Sequence, residues 1–481
     1  MLSPGRREPR GVAFVAAGVI VIAISGLTGC AHYPLTTPLP PQKPAARYAF
    51  EQIPSTGADD DLFVCLTFSG GGTRAAAFSY GVLQKLRDTS IVRAKDGRHE
   101  TLLDEVDCIS SVSGGSFTAA YYALFGARIF QDYRSIFLDR NVEGELFWSA
   151  ANPLNWPRLL SPYFSRIDLA AELYANTIFQ NKTYADLLAG AHRPFIILNG
   201  TDLATGDGFE FTQDQFDLIG SDLAALPIAR AVAASSAFPF LLTPITFSNH
   251  TTPGWYTAPP GLKHAAGDYY IDRRRYMWAS HQSTYLDKGA TPYVHVMDGG
   301  LADNIGLRAL ERQLVDPTGF VARRYNLAKA SKVIFIVVDS KAGEPATYNK
   351  SESAPGLADV AFKTATTSMD NFSAETIEFL RDRQRELDQA RQDVEVCKQL
   401  ARTPSDCPSF AAPAEIEVVD VNLEAIADPA RRTQLLSIGT NFSLPSTDVD
   451  LLIAAASDLL DQNPAFQKLL AALRSATAGA P

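Results

Sequence analysis

The chain has 481 residues, 46% of them apolar and 20% charged, with a formal net charge of −10. That balance belongs to a globular protein with a sizeable buried core and excludes a disordered or collagen-like chain. An acidic surface repels phosphate backbones, and the densest basic run is only Arg273 to Arg275, which argues against nucleic acid as a partner. Seven scattered histidines and five cysteines show no CxxC and no HExxH, so neither a metal nor another cofactor is expected.

The first thirty residues read as a targeting segment, because Arg6, Arg7 and Arg10 precede an uncharged run from Gly11 to Gly29. Such a run approaches the length of about 20 apolar residues that crosses a membrane. It ends, however, in Leu27-Thr28-Gly29-Cys30, which resembles the lipobox of bacterial lipoproteins. That resemblance implies a signal peptide over residues 1–29, diacylglycerol on the Cys30 thiol and a chain anchored by lipid in the cell envelope. Ala31, where inner-membrane retention would call for aspartate, points to the outer membrane. Residues 30–60 carry Pro34, Pro38, Pro40, Pro41, Pro44 and Pro54 and read as an extended Pro-rich tether. The remaining chain, 61–481, reads as one catalytic domain.

Within it, short apolar runs alternate with helix-like stretches. The runs are Leu62 to Phe68, Val106 to Ile109, Phe195 to Asn199, Val294 to Met297, Val333 to Val338 and a last strand, Glu415 to Val421. Ala75 to Leu86, Phe117 to Leu124 and Val449 to Leu460 read as helices. The pattern predicts the α/β class, a mostly parallel central sheet covered by helices on both faces. An aromatic, Gly- and Pro-rich stretch at 250–292 reads as an inserted loop over the site, and 356–410 as a helical excursion. Cys65 and Cys108 fall in strand-like runs and read as inert buried thiols. A Cys397–Cys407 disulfide is left open by the sequence.

Three turns carry chemistry. Strand Leu62 to Phe68 runs into Ser69-Gly70-Gly71-Gly72-Thr73-Arg74, where a Gly-rich loop before a helix can aim backbone N–H groups at an anion. Val106 to Val112 leads into Ser113-Gly114-Gly115, a nucleophile elbow in outline, with small Ser111 two residues before the serine. Val294 to Met297 ends in Asp298-Gly299-Gly300. In a parallel sheet, ligands gather outside the carboxyl ends of strands, so the three turns should converge on one edge. A Ser-His-Asp triad fits poorly. No histidine follows His295, and its odd spacing from Asp298 turns the two to opposite faces of a strand; a triad would need another acid such as Asp202 or Asp268. Gly70 to Ala75 also matches a dinucleotide fingerprint, but the acidic partner about twenty residues on is missing.

The Gly-Gly-Gly-Thr-Arg loop, the Ser-Val-Ser-Gly-Gly elbow and the Asp-Gly-Gly turn, in that order, resemble patatin-like phospholipases and their cytosolic phospholipase relatives. The blocks Asn199-Gly200-Thr201-Asp202-Leu203-Ala204-Thr205-Gly206 and Ala234-Ser235-Ser236-Ala237-Phe238-Pro239 fit as well, with an echo at Asn441 to Leu452. Ser111 stands where the family usually has the first glycine of G-x-S-x-G, and Ala75 where its Gly loop often has another.

The resemblance implies a three-layer sandwich, a catalytic dyad of Ser113 and Asp298, and an oxyanion hole at Gly70, Gly71, Gly72, Thr73 and Arg74. It implies no metal, and phospholipid or other acyl-lipid esters as substrate. Without histidine, Asp298 must act as base directly, and burial must raise its pKa to make that possible. Arg74 either orients the loop, holds an anionic head group, or makes a surface salt bridge. A catalytically silent lipid-binding envelope lipoprotein on the same fold is the alternative. Phe147, Trp148, Trp156, Tyr163 and Phe164 suit either a membrane boundary or core packing.

Overall fold

The computed structural model describes residues 31–53, 62–92, 99–190, 193–239, 241–265, 267–315, 332–343, 350–400 and 415–478. Cys30, the segment before it and Cys407 lie outside these residues.

Runs rich in Val, Ile and Phe form strands buried on both faces: β1 (Leu62–Phe68), β4 (Val106–Val112), β5 (Phe195–Asp202) and β9 (Lys332–Asp339). A small antiparallel ribbon, β2 (Ser90–Val92) with β3 (His99–Thr101), stands apart. The main sheet also holds β6 (Gly208–Glu210), β7 (Ile245–Ser248), β8 (Tyr293–Asp298) and β10 (Glu415–Asn422), in the order β10-β9-β1-β4-β5-β8-β7 with β6 beside β5. The five strands from β10 to β5 pair in parallel, whereas β8 runs antiparallel to β5 and β7 antiparallel to β8.

Helices flank this sheet in three layers. Those that bear on the site are α1 (Gly72–Asp88), α2 (Gly114–Phe125), α3 (Val142–Ala151), α4 (Arg166–Thr177) and α5 (Ile228–Ser235). To them are added α6 (Arg273–Ser283), α7 (Gly300–Asp303), α8 (Leu357–Leu400) and α9 (Ser446–Gln462). The α/β class and mostly parallel sheet expected from the sequence are what the chain adopts.

Three local expectations are corrected. Residues 31–53 are not a free tether: Leu39, Tyr48, Phe50 and Ile53 are buried in the core. The Leu39 N–H donates to the Gly220 carbonyl (2.9 Å) and the Asp222 N–H to that of Thr37 (2.8 Å). The Tyr48 hydroxyl accepts from the Ile196 N–H at the start of β5, and its ring stacks on Phe195. Four large apolar side chains among the prolines outweigh the extended bias of those prolines, because burying each stabilises by about 1.5–3 kcal/mol. Second, Cys65 and Cys108 are not free thiols but a disulfide joining register partners on β1 and β4, with Cα atoms 4.7 Å apart. Third, 250–292 is not loop or hairpin alone but holds two helices, Pro260–Ala265 and α6, and Tyr285 reaches back to donate to Asp202 (2.7 Å). The helical excursion is a single helix, α8, of 44 residues.

α1 and α9 cross closely at Gly81, where an added Cβ would come within 2.8 Å of the Ala456 Cβ and of the Ile453 carbonyl oxygen. A carbonyl held in a helix cannot retreat as a side chain can. Gly81→Val should therefore destabilise the protein by about 1–3 kcal/mol, read as a lower urea midpoint with an unchanged slope. A midpoint at or above that of the wild type would refute this account of the crossing.

Candidate active site

β4 ends at Val112, and the next residue, Ser113, takes φ 49° and ψ −118° before α2 begins. A side chain is strained there. The turn is held by close approach: Gly114 lies so near the Gly72 carbonyl that no Cβ fits between them. It is also held by hydrogen bonds. The Ser113 N–H donates to Ser235 Oγ (2.9 Å), whose own hydroxyl donates to the Asn199 carbonyl (2.6 Å), and Ser116 Oγ lies 2.9 Å from Ser235 Oγ. Ser111 joins the same network through Ser116 (3.1 Å), and Gly115 sits in the first turn of α2 against Phe68.

Asp298 arrives by a different route from the one the sequence suggests. Because β8 is antiparallel to its neighbour, the rule for carboxyl ends of parallel strands does not bring it in. Register does. Val112 pairs with Asn199 and Asp298 with Gly200, so the residue after Val112 comes level with Asp298 across β5. The Asp298 N–H donates to the Ala237 carbonyl (3.1 Å), and its own carbonyl accepts from Thr201 Oγ1 (2.8 Å). Its carboxylate accepts from the Gly300 N–H (2.8 Å) and is hydrogen-bonded to the Ser113 side chain. Gly299 donates to the Ser235 carbonyl (3.3 Å), so one serine touches both turns.

Asp298 is 2% exposed. Burial pushes its pKa from an ordinary 3.8 up to about 7, and the two hydrogen bonds lower it less than burial raises it.

The glycine loop divides its donors. The Gly70 N–H is spent on the Asn304 carbonyl (2.9 Å) and that of Thr73 on the Asn441 carbonyl (2.8 Å). These two are therefore unavailable to an incoming oxyanion, which narrows the set expected from sequence. Gly71 and Gly72, at φ 140° and 60°, keep backbone conformations suited to glycine. Arg74 is buried and donates to the carbonyls of Ser340 and Ile438, both at 2.7 Å. Through these two carbonyls it braces the loop from inside the protein.

His295 is exposed on the other side of β8, its Nδ1 3.0 Å from Thr246 Oγ1. Asp202 is taken by Tyr285 and by the Ala204 N–H (2.9 Å). Among the described residues, no group of His, Cys, Asp or Glu could hold a metal ion.

Reading the sequence missed the roles of Ser235 and Thr201, which lie within blocks it noticed, and missed Asn304 entirely. Asn304 is buried beside Gly70 and Gly300, with an amide oxygen that has no hydrogen-bond partner. Its place just after the short helix that follows the Asp turn was the only available signal.

A family model described as patatin-like phospholipase matches residues 66–310, just over half of the chain. No curated protein matches it. Among solved structures, human GIVD cytosolic phospholipase A2 in complex with methyl gamma-linolenyl fluorophosphonate is 13% identical, with a TM-score of 0.41. The match covers 88% of this chain, which spans about 60% of the length of that one. VipD from Legionella pneumophila is 13% identical, with a TM-score of 0.27, over 86% of this chain and 71% of that. ExoU from Pseudomonas aeruginosa, in complex with SpcU, is 14% identical, with a TM-score of 0.22, over 90% and 85%.

The buried carboxyl has a consequence for stability. A group whose folded pKa lies above its unfolded value holds a proton that the unfolded chain has released, so stability falls as pH rises from about 3.8 to about 7. Each unit is worth about 1.4 kcal/mol. Asp298→Asn removes this titration and keeps the acceptor for Gly300. Relative to the wild type, its urea stability should improve by about 2–4 kcal/mol between pH 4 and pH 8. A difference independent of pH would mean the carboxylate is not buried as described.

Proposed function

Because the chain belongs to the patatin-like phospholipase family, we propose that it hydrolyses lipid acyl esters, as a phospholipase A or lysophospholipase, with Ser113 and Asp298 as a catalytic dyad. The observation that carries this reading is a buried carboxyl of pKa about 7 hydrogen-bonded to the hydroxyl of a strained serine, beside a glycine loop.

In the first step Asp298 takes the Ser113 proton as Oγ attacks the ester carbonyl. The carbonyl oxygen becomes an oxyanion facing the N–H groups of Gly71 and Gly72, each such donor contributing about 2.7–4 kcal/mol to the transition state. On collapse the C–O bond to the alcohol breaks and Asp298 returns its proton to that leaving oxygen. Water then attacks the acyl-serine, with Asp298 again the base, and releases the fatty acid and free Ser113.

A fluorophosphonate probe should label the wild type and not Ser113→Ala. Labelling at another residue in both would sink the assignment. Asp298→Asn should lower turnover of a short-chain ester by about 10²–10⁴-fold, and the double variant should be scarcely worse than either single one, because the two act as a unit. His295→Gln should stay near wild type. The base must be ionised, so kcat/KM should rise with pH and level off above about 7. A profile flat from pH 5 to 9 would argue against Asp298 as base.

The same reading includes an exported, membrane-anchored protein lipidated on Cys30, in the envelope and facing the periplasm or the cell surface. The lipobox-like run supports it, and the Cys65–Cys108 disulfide suits an oxidising compartment. Mass spectrometry of membrane-extracted protein should find a lipid-modified Cys30 at the N-terminus. Recovery of intact residues 1–29 on the mature chain would refute it.

A further inference from the structure

Single exposed apolar side chains are ordinary on any surface; a cluster of them is not. Phe147, Trp148, Leu154, Trp156, Leu160 and Tyr163 are all exposed and fall within 147–163, Trp148 at 72% and Leu154 at 82%. They lie on the C-terminal half of α3, on the short helices Pro153–Asn155 and Trp156–Leu159 that follow it, and, for Leu160 and Tyr163, on the turn beyond. Phe164, by contrast, is buried. Phe147 and Trp148 pack edge to face at 5.4 Å, so the rings are held out toward solvent as a unit.

What covers this face is indicated by where the chain enters it. The Ala31 carbonyl accepts from Ser161 Oγ (2.6 Å), the Tyr33 N–H donates to the Tyr163 carbonyl (2.6 Å), and the His32 ring stacks on that of Tyr163. Ala31, the residue that follows Cys30 and the uncharged run 11–29 in sequence, therefore lies at the edge of the exposed aromatic cluster. Whether the run is retained or Cys30 is lipidated, the part of the chain that seeks a bilayer is joined in sequence to a residue beside this face.

The chemistry of the face agrees. Trp, Tyr and Phe with Leu suit the boundary between acyl chains and water. Arg158, the one cation within 147–163, is already paired with Glu172, and Arg140 ahead of α3 with Glu145. The attraction is thus apolar rather than ionic. The N-terminal end of α3, ahead of the face, is tied toward the site: the Glu143 N–H donates to the Phe442 carbonyl (3.2 Å), next to Asn441, whose carbonyl holds Thr73.

We propose that residues 147–163 form a membrane-docking face that seats the protein on a phospholipid bilayer, with Trp148 and Trp156 inserted at the interface. This rests on the membrane-anchored reading above, and not on hydrolysis. Full-length protein reconstituted in phosphatidylcholine vesicles with brominated acyl chains tests it, because Trp148 and Trp156 are two of only four tryptophans. Emission should be quenched relative to unbrominated vesicles. The quenching should be largely lost in W148F/W156F and should persist in high salt, because the face is apolar.

W148E/W156E should cut hydrolysis of vesicle lipid by about tenfold or more while sparing a soluble short-chain ester. No quenching in the wild type, or quenching that W148F/W156F leaves intact, would overturn the proposal. So would a dimer in solution that W148E/W156E dissociates, which would assign the face to a second copy of the chain. Absence of all hydrolysis in the wild type would count against the enzyme reading alone, with the quenching still deciding the docking face.

Discussion

Val112 faces Asn199 across one parallel pairing and Asp298 faces Gly200 across one antiparallel pairing, and the level at which Ser113 meets Asp298 follows from those two registers. A slip of one residue in either would turn the carboxyl to the opposite face of the sheet. The surroundings therefore concentrate on preventing a slip. The Asn199 side chain donates to Ser110 Oγ (2.9 Å) and to the Ser111 carbonyl (3.0 Å), locking β5 to β4. Thr201 locks β5 to β8 through the Asp298 carbonyl, and also accepts from the Ala302 N–H (3.1 Å) at the start of α7. One strand further out, the Cys65–Cys108 disulfide joins the strands that lead into the glycine loop and the serine turn. Each fastening lies within a few residues of a turn that would otherwise be free to shift.

This precision has a cost that the rest of the fold offsets. Ser113 is held in a backbone conformation that costs on the order of 1–3 kcal/mol. Asp298 is buried without a cation, and the Asn304 amide oxygen is buried without a donor. All three lie around one carboxylate and one hydroxyl, where a site meant only for stability would have none of them. The core that bears the cost is continuous from the N-terminal Tyr48 and Phe50 through β1, β4 and β5 to α9.

The sequence made the strands and the three turns legible because both depend on local pattern: unbroken apolar runs for buried strands, and glycines where backbone must approach backbone. Ser113 and Asp298 stand out for that reason. What it did not show was direction and partnership. Nothing in Tyr293 to Asp298 says that β8 runs antiparallel, since its apolar pattern suits either pairing, and convergence was expected for the wrong geometric reason. Ser235 looks like any small helical residue until the Asn199 carbonyl and the Ser113 N–H are placed on either side of it. Residues 31–53 were misread because proline content dominated the reading, whereas burial of Tyr48, Phe50 and Ile53 depends on β5, almost 150 residues away in sequence.

Burial pushes two carboxyls of this chain up to about 7, Asp298 and Asp339, and the serine beside Asp298 sets it apart from the other. Asp168 is paired with Arg230 at 2.8 Å, and Asp107 is paired with Arg193, both inside the protein. Near the site there is a buried arginine too, Arg74, but its donors go to the carbonyls of Ser340 and Ile438. The groups acting on Asp298 are burial, one backbone N–H and the serine hydroxyl, none of them charged. In the proposed dyad, then, the uncharged character of the groups acting on Asp298 matters as much as the placement of Ser113, because it leaves Asp298 able to accept a proton near neutral pH.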